Sequence, residues 1–290
     1  MTRAAPGQVA HRDSEATALV AAFTLVVGFT FSDDIVLFFL DVTGHAGSAA
    51  RPWLAFLLDC LLVAATAVLE WRIGGGGKQT GFARQLVTGP WGVGAALVVV
   101  NHIVLIATAE QRSKLGDVGS VAVNLLSSLV LVAAMVLLLW SALGDHAVDR
   151  GWIIPLAIGN YVVQVCKVLW YPVIDAGTGC AENVSFEYFA LMAHILPVVL
   201  LALGVETNFV RRGATAPDLG RRVAPVLTII LLSVALGLAF SMLVKAHMTP
   251  PCGVAAGWHE YFSFVVTAQA MAIGLATLVW LMLTGVGGSH

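Results

Sequence analysis

The apolar residues of this chain fall into long continuous runs that are separated by short polar connections. A helix needs about 20 apolar residues to cross the hydrocarbon core of a bilayer, whereas a barrel strand alternates apolar and polar positions. The runs do not alternate, so the pattern predicts an all-α, polytopic integral membrane protein: a bundle of eight transmembrane helices. The eight predicted segments are 16–40, 52–71, 89–109, 119–143, 151–172, 184–205, 223–246 and 257–283.

The composition leads to the same class of protein. Apolar residues make up 59% of the chain and charged residues 11%, against about a quarter charged in soluble domains. The main partner is therefore the lipid bilayer. The net charge of −2 comes with no basic block, which argues against nucleic acid as a partner. We expect one transmembrane domain over residues 1–290, with a cytoplasmic leader at 1–15.

Lys and Arg are distributed unequally between alternate connections. Ten lie on one side of the predicted bundle and at most five on the other, and the richer side is normally cytoplasmic. The bias predicts a multi-pass plasma membrane protein with cytoplasmic N- and C-termini. The ten are Arg3, Arg12, Arg72, Lys78, Arg84, Arg150, Arg211, Arg212, Arg221 and Arg222; the five are Arg51, Arg112, Lys114, Lys167 and Lys245.

The segments show signs of repetition. The tripeptide Glu-Tyr-Phe occurs at residues 187–189 and again at 260–262, each time seven or eight residues after a cysteine. Polar interruptions also recur at about the length of one helical hairpin. The chain is therefore read either as four parallel hairpin repeats or as a duplicated four-helix half, with halves at 16–145 and 150–285.

The two loop cysteines, Cys180 and Cys252, fall in connections that are predicted to face outward. Disulfides persist in that oxidising compartment, so a bond between them is expected, with two unpaired thiols as the alternative. Cys60 and Cys166 lie inside apolar helices and are read as small packing residues.

Ionisable side chains within the predicted segments gather in the outer half of the bilayer. Such residues are costly in lipid and commonly mark binding sites, so their one-sided distribution predicts a polar intramembrane site that opens outward. Glu187 and Glu260 also suit helix N-termini, where a carboxylate complements the helix dipole, and that interpretation stays open for both. The predicted substrate- or ion-binding residues are Asp33, Asp34, Asp59, His102, Lys167, Glu187 and Glu260.

Two details of the predicted site depend on residue type. Lys167 is the natural counter-ion for one of the carboxylates, although the sequence does not select which. The three histidines His102, His194 and His259 have the chemistry of metal ligands, but no HxxxH or HExxH motif joins them. A metal is therefore a weaker expectation, and no residue pattern identifies a cofactor or an oligomeric state.

The function expected from this distribution is transporter-like handling of a small charged solute or an ion. A membrane-embedded, metal-dependent enzyme or redox subunit, with its site near the outer face, is the first alternative. The second alternative is a non-catalytic assembly or sensory subunit, in which the same residues serve as internal packing contacts.

Overall fold

The fold is described from a computed structural model of the chain. It describes residues 25–45, 48–73, 86–112, 114, 116–142, 153–170, 181, 183–213, 220–246 and 252–286.

The regular elements of the described residues are helices. In chain order they are α1 (25–42), α2 (Arg51–Ile73), α3 (Pro90–Ala107), α4 (Ala109–Arg112), α5 (Gly116–Ala142), α6 (Ile153–Leu169), α7 (Phe186–Gly213), α8 (Gly220–Ala246) and α9 (Val254–Val286).

Six of these helices are long and apolar enough to cross a membrane: α2, α3, α5, α7, α8 and α9. Two further predicted segments coincide with helices that do not meet this standard within the described residues. Helix α6 is apolar but has only 17 residues, and the start of α1 lies outside the described part of the chain. The chain is thus a helical membrane protein, and the count of eight spans stays a prediction.

The helix ends follow from local sequence. Helix α3 has Pro90 at its first position, where the missing proline N–H removes no helical hydrogen bond. Before α7, the hydroxyl of Ser185 accepts a hydrogen bond from the backbone N–H of Tyr188 at 3.4 Å, which is the pattern of an N-terminal cap.

Contacts along the chain define two compact units: residues 1–34 with 50–147, and residues 35–49 with 148–290. The second boundary, between 147 and 148, falls in the connection that separates the two predicted halves. The single-domain prediction and the duplication are not tested by this division.

In the first unit, α2, α3 and α5 pack against one another. A β-carbon placed on Gly94 of α3 would be 3.0 Å from the Leu138 side chain and 3.1 Å from the carbonyl oxygen of Ala134, both on α5. The absence of a side chain at Gly94 therefore allows the two helices to approach closely. Val98, Ala134 and Leu138 are fully buried at this contact.

In the second unit, α9 packs against α6, α7 and α8. Its buried face includes Ala270 and Ile273, which have no exposed surface. The unit also contains the second part of α1, where Asp41 accepts a hydrogen bond from the indole N–H of Trp258 at 2.9 Å. These contacts make α9 the central helix of the unit.

The two Glu-Tyr-Phe tripeptides occupy different positions in their helices. Glu187 is the second residue of α7 and is exposed, whereas Glu260 is the seventh residue of α9 and has no exposed surface. The likeness in sequence therefore does not correspond to equivalent positions in the two helices.

Candidate functional site: the Asp59–His102 pair

The first unit contains a buried acid–base pair between α2 and α3. Asp59 is only 1% exposed and His102 only 9% exposed. Asp59 lies on the same face of α2 as Ala55 and Val63, both buried, and His102 follows buried Val98 by one turn of α3. The Nε2–H of His102 donates a hydrogen bond to Oδ2 of Asp59 at 2.6 Å.

The carboxylate of Asp59 is satisfied on one side only. Its other oxygen, Oδ1, is buried and has no hydrogen-bond partner within the part of the chain that the structure describes. The ring of Phe56 lies beside the imidazole, with 5.5 Å between the ring centroids. The pair thus combines a buried negative group, a titratable imidazole and one unused acceptor in apolar surroundings. This geometry can bind and release a proton or a cation.

Hydrogen bonds between uncharged side chains also join the helices of this unit. The amide of Asn101, which precedes His102, donates to the hydroxyl of Ser127 on α5 at 3.0 Å. Further along α2, Thr66 accepts a hydrogen bond from the indole N–H of Trp91 at 2.9 Å. The sequence marks Asn101 as a polar interruption of its predicted helix and shows Ser127 within another, but it does not indicate that the two side chains meet. It gives no indication of the Thr66–Trp91 contact, since both residues lie in predicted apolar segments.

The two adjacent aspartates of α1 diverge, as neighbours about 100° apart on a helix must. Asp33 is exposed and forms an ion pair with Arg51, whose Nε donates to Oδ1 at 3.2 Å and whose second guanidinium nitrogen contacts Oδ2. Asp34 is buried, with 6% of its surface exposed. Arg51, not Lys167, is therefore the cation observed beside Asp33.

Lys167 has an aromatic contact in the second unit. Its ammonium nitrogen lies 5.8 Å from the centroid of the Tyr261 ring, within the range of a cation–π interaction. Its expected pairing with a carboxylate stays a prediction.

Glu260 of α9 binds the segment that precedes α7. Its Oε1 accepts the backbone N–H of Val184 at 2.8 Å, and its Oε2 accepts the side-chain amide of Asn183 at 3.1 Å. Both oxygens of this fully buried carboxylate are therefore engaged by the segment before α7. Glu187 is exposed in the first turn of α7, where its charge suits the helix dipole. The contacts of Glu260 stabilise the segment before α7, and the binding role predicted for the two glutamates stays a prediction.

The three candidate metal ligands have separate environments. His102 is bonded to Asp59, as described above. His194 is exposed on α7, with its Nδ1 2.7 Å from the carbonyl oxygen of Ala190, and His259 contacts the hydroxyl of Ser241 through Nε2 at 2.9 Å. Among the described residues, no group of three or more His, Cys, Asp or Glu side chains is arranged to hold a metal ion.

The cysteine predictions are tested only in part. Cys180 lies outside the described residues, so its disulfide with Cys252 stays a prediction. Cys60 and Cys166 are half-buried free thiols within α2 and α6, and their role as packing residues stays a prediction.

Of the residues predicted to form the site, the structure brings Asp59 and His102 into direct contact. Comparison of the chain with protein-family models, curated proteins and solved structures finds no match.

Proposed function

We propose that the protein is a transporter-like membrane protein that handles a small charged solute or an ion, and that Asp59 and His102 form its binding pair. One observation carries the proposal. The Asp59 carboxylate is 1% exposed, and one of its oxygens accepts a hydrogen bond from His102 at 2.6 Å. Its other oxygen has no hydrogen-bond partner among the described residues.

The energetic argument concerns the cost of keeping this carboxylate. An ionised side chain in the middle of a membrane helix costs several kcal/mol unless it is paired or hydrated, so such residues are rare outside functional sites. An apolar side chain at position 59 would pack between Ala55 and Val63 without that cost. The presence of a buried acid with a histidine partner at this position therefore favours a role in binding.

The pair can exchange a proton for a cation without breaking its hydrogen bond. When the imidazole carries two protons, the Asp59–His102 pair has no net charge. Loss of the proton from Nδ1 leaves the Nε2–H still donating to Asp59 and gives the pair a net charge of −1. A monovalent cation at Oδ1 of Asp59 restores neutrality. When the pair starts with a doubly protonated imidazole, each cation that binds displaces one proton, and this exchange would link the two gradients.

The test is flux through purified protein in proteoliposomes that contain a proton-sensitive dye. Gradients of sodium, potassium or ammonium are imposed in turn. Asp59→Asn and His102→Gln are expected to reduce the cation-driven proton signal at least about tenfold, which corresponds to about 1.4 kcal/mol. Glu110→Gln is the control, because it makes the same acid-to-amide change at an exposed carboxylate that is not among the predicted binding residues. It should retain wild-type flux.

Two outcomes would contradict the proposal. Equal flux in Asp59→Asn and Glu110→Gln would show that the buried pair takes no part in transport. If folded wild-type protein transports none of the three cations and no protons, the pair is a structural contact within the bundle, as expected for an assembly or sensory subunit.

The proposal also covers the type of membrane and the orientation of the chain within it. The excess of Lys and Arg in alternate connections supports a plasma membrane protein with both termini in the cytoplasm. Single cysteines at Lys78 and Lys114 test this with a membrane-impermeant maleimide on intact cells, and the unmodified chain serves as the background control. Lys114→Cys should be labelled directly and Lys78→Cys only after permeabilisation. The reverse result would invert the topology.

A further inference from the structure

The second unit contains a polar surface that the Asp59–His102 pair does not use. Helix α9 carries His259 and Ser263 one turn apart on the same face, so their β-carbons lie roughly 5–6 Å from each other. Ser263 has no exposed surface. Its hydroxyl oxygen and the Nδ1 atom of His259 are both buried, and neither finds a hydrogen-bond partner among the described residues.

The contacts of Ser241 indicate which nitrogen of His259 carries the proton. The Ser241 hydroxyl lies 2.7 Å from the carbonyl oxygen of Leu238 and 2.9 Å from Nε2 of His259. A hydroxyl has one hydrogen, and a carbonyl oxygen can only accept. The hydroxyl therefore donates to Leu238 and accepts from Nε2–H. In a neutral imidazole this leaves Nδ1 as an unprotonated acceptor directed into the protein.

The two unpaired atoms of His259 and Ser263 can form hydrogen bonds to the same small molecule. Nδ1 of His259 needs a donor, and the hydroxyl of Ser263 can both donate and accept. Buried polar atoms are unfavourable without partners and are usually completed by a small bound molecule when the protein offers none. A ligand that spans one helical turn must be small and must carry an N–H or O–H donor.

We infer that His259 and Ser263 bind one small neutral hydrogen-bonding molecule, of the class of water or ammonia, between Nδ1 and the hydroxyl oxygen. This site is independent of the Asp59–His102 pair and of the proposed transport function. Two polar side chains of the same helix are engaged elsewhere: Glu260 bonds Asn183 and Val184, and Thr267 bonds Tyr188.

Solid-state NMR of ¹⁵N-histidine-labelled protein in hydrated bilayers tests the inference. His259 should show a protonated Nε2 and an unprotonated, hydrogen-bonded Nδ1 that receives polarisation from water. Ser263→Ala should abolish that transfer, whereas Ser263→Thr retains a hydroxyl and should preserve it. His194 is the internal control, because its Nδ1 contacts the Ala190 carbonyl and should not respond to either change. Its resonance is assigned through His194→Gln.

A second arm distinguishes the two ligands. Samples equilibrated with ¹⁵N-ammonium chloride should give a cross-peak between ammonia nitrogen and the β-carbon of Ser263 if ammonia occupies the site, and none if water does. The inference is wrong if Nδ1 of His259 receives no polarisation from either molecule. It is equally wrong if Nδ1 proves to be protonated, or if the signals of Ser263→Ala and wild type are the same.

Discussion

Substitution of Gly159 by alanine should separate α6 from α9 and destabilise the second unit. A β-carbon at this position would lie 2.6 Å from the α-carbon of Ile273, 2.8 Å from its backbone nitrogen and 2.7 Å from its Cγ1. Ordinary contacts between such atoms are about 3.5–4.0 Å, so the helices would have to move apart by about 1 Å. Two of the three atoms are backbone, and a change of the Ile273 rotamer therefore cannot relieve the overlap.

The magnitude follows from two opposing effects. Overpacking of a close-packed interior costs typically about 1–3 kcal/mol, and backbone contacts favour the upper end. Alanine recovers about 1 kcal/mol relative to glycine through its higher helix propensity. The expected net loss is thus about 2 kcal/mol of unfolding free energy. Gly237→Ala is the matched control, because a β-carbon at Gly237 of α8 meets no atom within 4 Å and should stabilise the protein by about 1 kcal/mol.

The assay is reversible unfolding of both variants in mixed micelles, followed by helical circular dichroism and by a tryptophan signal. A difference of about 3 kcal/mol between Gly159→Ala and Gly237→Ala is expected from the sum of the two effects. If the two variants are equally stable, α6 and α9 do not approach each other at Gly159, and the central position of α9 would have to be abandoned.

The remaining predictions concern the loop before α7 and the cysteines. Because Glu260 accepts a hydrogen bond from the backbone N–H of Val184, Glu260→Ala should accelerate hydrogen–deuterium exchange at Val184. Glu187→Gln changes an exposed glutamate and should leave that exchange rate unaltered. An unchanged exchange rate in Glu260→Ala would contradict the hydrogen bond between Glu260 and Val184. The disulfide expected between Cys180 and Cys252 predicts that non-reduced protein yields a cross-linked peptide pair by mass spectrometry, and recovery of both as alkylated thiols without reductant would disprove it.

The sequence predicts the helical membrane class well because that class depends on composition and run length. Helix ends are less predictable, since backbone hydrogen bonding continues where hydropathy falls. The seventh segment illustrates this at its start: α8 begins at Gly220, three residues before the predicted 223, and ends at Ala246, as predicted. Helix α7 continues to Gly213, eight residues beyond the predicted 205.

The members of the candidate site were visible in the sequence, but their pairing was not. Asp59 and His102 are 43 residues apart, and Lys167 offered an equally plausible charge at a similar depth. Depth follows from position along a helix, whereas pairing depends on how each helix is rotated and which helices are neighbours. Only tertiary packing determines those quantities. For the same reason, Glu187 and Glu260 looked alike in sequence although only Glu260 is buried.

The lengths of α6 and α9 have a consequence for the lipid around the second unit. The apolar part of α9 has 31 residues and would span about 46 Å, whereas the 17 residues of α6 reach only about 26 Å, on either side of a hydrocarbon thickness of about 30 Å. A helix as long as α9 must tilt or project beyond the hydrocarbon core to cross such a bilayer, whereas the described length of α6 falls short of a full span. Bilayer thickness therefore acts directly on the central helix of the unit, and the behaviour of the protein should change with the acyl chain length of its membrane.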